Sequence, residues 1–98
     1  MKGTAAVLWT LHGRVYSGRL EAMPERLELT GRGVTLSIPL DSIEEFAIER
    51  GPASRIRGLA VLTLRVAEGD VIRVASLQGT GVLHELAGVL APAVAATF

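Results

Sequence analysis

Three arginines stand close together in the stretch Arg50-Gly-Pro-Ala-Ser-Arg55-Ile-Arg57, and no acidic residue interrupts it after Glu49. A guanidinium presents a planar fork of donors that pairs with the oxygens of phosphate or carboxylate two at a time. Arg50, Arg55 and Arg57 are therefore the candidate ligand- or partner-binding residues. Their ligand would be phosphate or an acidic partner.

No other residue set points to chemistry. The two histidines, His12 and His84, have no partner at a spacing that would make a metal site or an acid–base pair. His84 and Glu85 are adjacent, so on a helix they project from different sides. Ser17 and Ser76 have no base nearby in sequence. Cysteine is absent, which excludes disulfides, thiolate metal ligands and a cysteine nucleophile. Gly31-Arg32-Gly33 and Gly79-Thr80-Gly81 are too short for a phosphate-cradling loop, and no dinucleotide fingerprint is present. The expectation is a protein with no catalytic residues, no metal and no cofactor.

Composition narrows the partners. The chain has 98 residues, 49% of them hydrophobic, with ten basic and ten acidic residues. That is one domain's length with enough apolar side chain for a core, and residues 1–98 are read as a single domain. Zero net charge argues against nucleic acid, whose binders neutralise phosphates with clustered Lys and Arg. The longest apolar-rich stretch, Val82 to Phe98, contains His84, Glu85 and Pro92. It is short of the roughly 20 apolar residues a membrane span needs, so no transmembrane segment is expected. The run Ala5 to Trp9 is too short for a signal-peptide core. A cytoplasmic location is the expectation.

The elements that would hold the arginines follow from periodicity. Val7–Leu11 reads as a strand entering a His12-Gly13 turn. Arg14–Met23 reads as a second strand, with Val15, Leu20 and Ala22 as its apolar positions, ended by Pro24. Arg26–Thr30 and Val34–Leu40 alternate with period two, the signature of half-buried strands, and Gly31-Arg32-Gly33 joins them as a hairpin. Pro39 cannot donate to a ladder and belongs at a strand end or edge. Asp41 and Ser42 favour a turn, so a corner without glycine passes the chain into a strand from Ile43, carrying Phe46 and Ile48. Asp41 is expected to be exposed or partly exposed and to accept hydrogen bonds from backbone N–H groups of that turn. Gly51–Gly58 reads as the longest loop, and as a solvated one. Leu59–Ala67 and Val71–Ala75 form a last hairpin, with Arg73 pointing opposite to Ile72 and Val74. From Thr80, read as an N-cap, Val82, Leu83, Leu86, Val89, Leu90 and Val94 recur at helical spacing. Pro92 is expected to end this helix near residue 91. Trp9, Tyr16 and Phe46 read as core or partly buried residues, with an interface as the other reading of Trp9.

Seven short strands and one C-terminal amphipathic helix resemble the pleckstrin-homology-like superfold. The wording is similar to its bacterial PH and GRAM-type branch. "LSIPLDSIEEF" is the most specific part, with "SGRLEAMPERLELTG" like the opening of such domains. "LAVLTLRVAEGDVIRVAS" is like the closing hairpin and "GVLHELAGVL" like the capping helix. The likeness spans Tyr16 to Leu90. It implies a mainly β fold, a partly open barrel of about seven antiparallel strands in two sheets. Pro39 would end the first sheet, and the helix would plug the open end and bury Leu83, Leu86 and Leu90. The phosphoinositide pattern of that family, K-x(n)-[KR]-x-R on the first hairpin, is not met: Arg14 and Arg19 occur beside Glu21 and Glu25, without lysine. The functional expectation is a noncatalytic interaction module that binds an unknown protein or itself. The alternative is weak peripheral binding of anionic lipid head groups through the Arg50–Arg57 loop.

Overall fold

The computed structural model describes residues 4–95, and their side chains as far as Pro92. Seven strands and one helix are present: β1 (Thr4–Leu11), β2 (Arg14–Ala22), β3 (Arg26–Gly31), β4 (Val34–Pro39), β5 (Ile43–Glu49), β6 (Val61–Val66), β7 (Val71–Ser76) and α1 (Thr80–Ala95). All neighbouring strands are antiparallel, in the order β4-β3-β2-β1-β7-β6-β5. The expected two sheets are one continuous sheet curled into a half-barrel. β1 pairs with β2 on one side and β7 on the other, and this central strand joins what would have been two sheets. β4 and β5 are its two free edges.

Alternation decides which residues enter the concave face. Val7 and Trp9 of β1, Leu27 and Leu29 of β3, Leu62 and Leu64 of β6 are all buried there. Val15, an apolar position of β2, lies on the other face. It pairs with Thr10 on the outer face and is 47% exposed, whereas Leu20, further along β2, is fully buried.

The curl depends on a close approach between β2 and β3. A Cβ on Gly18 would lie 1.7 Å from the Thr30 carbonyl oxygen. With only a hydrogen there, the Thr30 carbonyl folds in against β2 and accepts a hydrogen bond from Trp9 Nε1 at 3.0 Å. The indole is fully buried and stacks on Tyr16, with centroids 4.4 Å apart. Trp9 is therefore a core residue whose one polar atom is satisfied, and the interface reading does not hold.

The corner after β4 is a single 3₁₀ turn, Leu40–Ser42. It carries the chain from one free edge of the sheet to the other. A bulge between Ile43 and Glu45 bends the start of β5. Asp41 is exposed as expected, but among the described residues its side chain makes no hydrogen bond. Ser42 Oγ does the fastening, donating to the Pro39 carbonyl oxygen at 2.7 Å. The serine stands at the end of the turn, where its hydroxyl reaches back three residues, and the aspartate points to water. Ser42→Ala is therefore expected to cost about 1 kcal/mol, the worth of one hydrogen bond, and Asp41→Ala less than about 0.5 kcal/mol. Denaturant titration of both variants checks this. The reverse order would return the role to Asp41.

The helix buries Leu83, Leu86 and Leu90 against the concave face and packs on β5, β6, β7 and the corner. Two expectations about it are corrected. Thr80 is its first residue and not its cap. The position before it is Gly79, at φ +100°, whose carbonyl accepts from Val82 N. Pro92 lies inside the helix, which runs to Ala95. A proline removes the bond to the carbonyl four residues earlier, here that of Gly88. Gly88, Ala91 and Pro92 all face outward, so water can take the freed carbonyl. The Val94 side chain lies outside the described residues.

Candidate functional site

The loop Arg50–Ala60 between β5 and β6 is structured and not merely solvated. Ile56 and Leu59 exchange backbone hydrogen bonds of 3.1 and 2.9 Å around a two-residue turn. Arg57 and Gly58 occupy that turn at φ +49° and +80°, the double left-handed geometry that matches strand twist. The small hairpin folds back over the convex face of the sheet. Ile56, 6% exposed, closes with Leu8, Val61 and Ala75 into a second apolar cluster. This cluster is separate from the main core and anchors the loop. The arginines on either side of Ile56 are left outside it.

The three candidate arginines are not brought to one place. Arg50 Nη2 donates to His84 Nε2 at 2.9 Å, which ties the start of the loop to α1. Arg55 Nε donates to the Arg50 carbonyl at 3.0 Å, which leaves the outer nitrogens of its fork free. Arg55 and Arg57 line a recess of about 390 Å³ together with His12, Val15 and Arg73. Arg50 does not line it.

The floor of the recess is set by strand register. Val15 pairs with Thr10, Thr10 with Arg73, Arg73 with Thr63 and Thr63 with Ala47, one row across the convex face. Arg73 sits in the middle of that row. Its Nε is buried and has no hydrogen-bond partner, and Thr63 Oγ1 beside it is likewise unpartnered. Two of the acids nearby are already paired: Asp70 with His12, which lines the recess, at 3.0 Å, and Glu45 with Arg65, its cross-strand partner. Among the described residues no carboxylate lies within ion-pair distance of Arg55, Arg57 or Arg73. The recess is thus a cationic spot on a chain of zero net charge.

Arg73 is the residue that sequence reasoning did not connect with the loop. Its outward direction is readable from Ile72 and Val74. Its meeting with Arg55 and Arg57 depends on the β1–β7 pairing and on the loop's fold-back, neither of which leaves a local signal. A second recess, about 310 Å³, lies at the open end of the half-barrel and is mostly aliphatic, with Leu11, Leu36, Ile38 and Val66 in its walls. Among the described residues there is no group of three metal-ligating side chains. Among the described residues no helix is long and apolar enough to cross a membrane.

No protein-family description and no curated protein matches the chain. Among solved structures it is similar to the C-terminal domain of an unknown protein from Leishmania infantum. The TM-score is 0.71 and the identity 15%, over 90% of this chain and 81% of that one. At that identity the likeness concerns the fold.

Proposed function

We propose that this domain is a noncatalytic interaction module of the pleckstrin-homology-like kind, which binds an acidic segment of another polypeptide, a second copy of this chain included. The observation that carries the reading is the Ile56 anchor. A loop pinned by a buried side chain holds Arg55 and Arg57 over Arg73, so cations that would otherwise move freely are preorganised for a partner. The seven antiparallel strands and the closing helix support the family reading.

Titration of the domain with a polyglutamate peptide, followed by amide shifts, tests this. Shifts should gather at Thr10, Arg55, Arg57 and Arg73 and vanish in an Arg55→Gln/Arg57→Asn variant. Asparagine is chosen because it tolerates the left-handed backbone of position 57 better than alanine. Unmoved amides in this recess would sink the reading.

Anionic lipid is the competing partner. Attraction to an anionic surface is worth about 1 kcal/mol per basic residue held near it. Even with Arg50 the loop would supply about 3 kcal/mol, weaker than millimolar binding. With Arg50 turned to His84 it supplies less. Co-sedimentation with anionic vesicles at physiological salt is expected to be weak or nil. Tight, salt-resistant binding that survives the double substitution would overturn both the site and the protein-binding role.

A further inference from the structure

The reading above leaves the ligand's chemistry open between carboxylate and phosphate. Resting on that reading, we propose that the recess floored by Arg73 is a phosphate-monoester site, and that its ligand is a phosphorylated side chain of a partner protein.

Charge is the first argument. Three guanidinium groups, of Arg55, Arg57 and Arg73, line one recess without a carboxylate in ion-pair contact among the described residues. The remaining acid near Arg73 is Glu49. It shares the neighbouring depression with Arg73 and Thr63 but forms no ion pair among the described residues. One carboxylate from a partner would offset a single cation. A phosphate monoester carries about −1.5 to −2 at neutral pH and three acceptor oxygens, enough to offset most of the cluster and to take several fork donors at once.

Arg73 is the second argument. It is half-buried in the middle of a strand, its Nε is sealed from water without a hydrogen-bond partner, and among the described residues it makes no ion pair. Such a group is a liability to the free domain. A residue that costs stability in the free state and faces a recess is the pattern of a binding group waiting for its counter-ion.

The surroundings of the recess favour a protein segment. Thr10 and Arg73 reach it from strand bodies, and His12, Gly13 and Arg57 from two turns. Val15 and Val71, 47% and 38% exposed, flank the recess and offer apolar contact to the residues on either side of the phosphate.

The test uses the whole chain at constant ionic strength. The probes are inorganic phosphate, a valine-flanked phosphoserine peptide, its unphosphorylated and glutamate-substituted forms, and vesicles containing a phosphoinositide. The phosphopeptide is expected to bind at least about tenfold tighter than either control peptide, with amide shifts at Thr10, Arg57 and Arg73. Inorganic phosphate should shift the same amides and raise the melting temperature. Arg73→Met should melt higher than the parent in the absence of phosphate, lose at least about tenfold in phosphopeptide affinity, and no longer respond to phosphate. Equal binding of the phosphoserine and glutamate peptides would overturn the phosphate assignment while the acidic-partner reading stands. Silence of the recess toward every peptide would overturn both. Vesicle binding tighter than phosphopeptide binding would replace the proposal with a membrane site. A lower melting temperature for Arg73→Met would mark Arg73 as structural and overturn the proposal as well.

Discussion

Leu86→Asp is expected to leave little folded protein at 25 °C. Leu86 is 1% exposed, between Leu83 and Leu90 on the face of α1 that closes the half-barrel. Removing a buried leucine side chain costs about 2–5 kcal/mol before anything replaces it. A carboxylate at that position finds no cation among the core residues, all of which are apolar, and burying it unpaired adds several kcal/mol more. The total rivals the 5–15 kcal/mol, roughly, by which a whole domain is stable. Circular dichroism at 25 °C and a thermal melt measure the outcome. Glu85→Ala, on the exposed side of the same turn, should change stability by less than about 0.5 kcal/mol and serves as the control. A melt of Leu86→Asp within about two degrees of the parent would mean that α1 does not close the core; a destabilisation of several kcal/mol shifts a domain of this size by tens of degrees.

Gly18→Ala should be nearly as damaging, although it adds one methyl group to a position only partly buried. Its Cβ would fall 1.7 Å from a backbone oxygen, that of Thr30. A side chain can rotate away from such a contact, whereas a carbonyl in a sheet can move only if β3 moves with it. Overpacking of this kind costs about 1–3 kcal/mol. The displaced carbonyl also abandons the Trp9 indole N–H, which is buried with no other acceptor. An unsatisfied buried donor costs about 1–3 kcal/mol. The two together lower the melting temperature by roughly 10–30 °C. The quenched or shifted fluorescence of the lone tryptophan reports the second effect separately. An unchanged melt and an unchanged emission spectrum would show that β2 and β3 do not need to meet so closely.

Gly18 also shows where reading the sequence stops. Its place in a strand is legible in "YSGRLEA", but the reason for it is a carbonyl twelve residues away. The alternation of Val34, Leu36 and Ile38 and the spacing of Leu83, Leu86 and Leu90 are local patterns, and local patterns carried the strands, the helix and its buried face. Pro92 misled because a rule for helix interiors assumes that the lost hydrogen bond is not replaced, and here the freed carbonyl faces water. Asp41 and Ser42 are both turn formers, and sequence cannot tell which hydroxyl or carboxylate points back at the chain. The candidate site was half legible. Arg55 and Arg57 stand out as charges in a loop, and Ile56 between them carries the signal of the anchor, an apolar residue in an otherwise polar stretch. Arg73 enters through strand register, which no short stretch encodes. Arg50 leaves through its contact with His84 on a distant helix.

The central position of β1 shapes how the chain reaches its fold. Val7 pairs with Ser76, so the middle of the sheet joins segments 69 residues apart. Contacts of such wide sequence separation are entropically expensive to close and slow folding relative to local pairings. The meander β1–β2–β3–β4 can form from neighbours alone, but its concave face, with Val7, Leu20, Leu27 and Leu29, then has nothing to cover it. During synthesis that half emerges first and must wait for β7 and the helix. The interval leaves an apolar sheet whose β1 edge still lacks its β7 partner, the state in which this chain is most exposed to aggregation and in which a chaperone would find it.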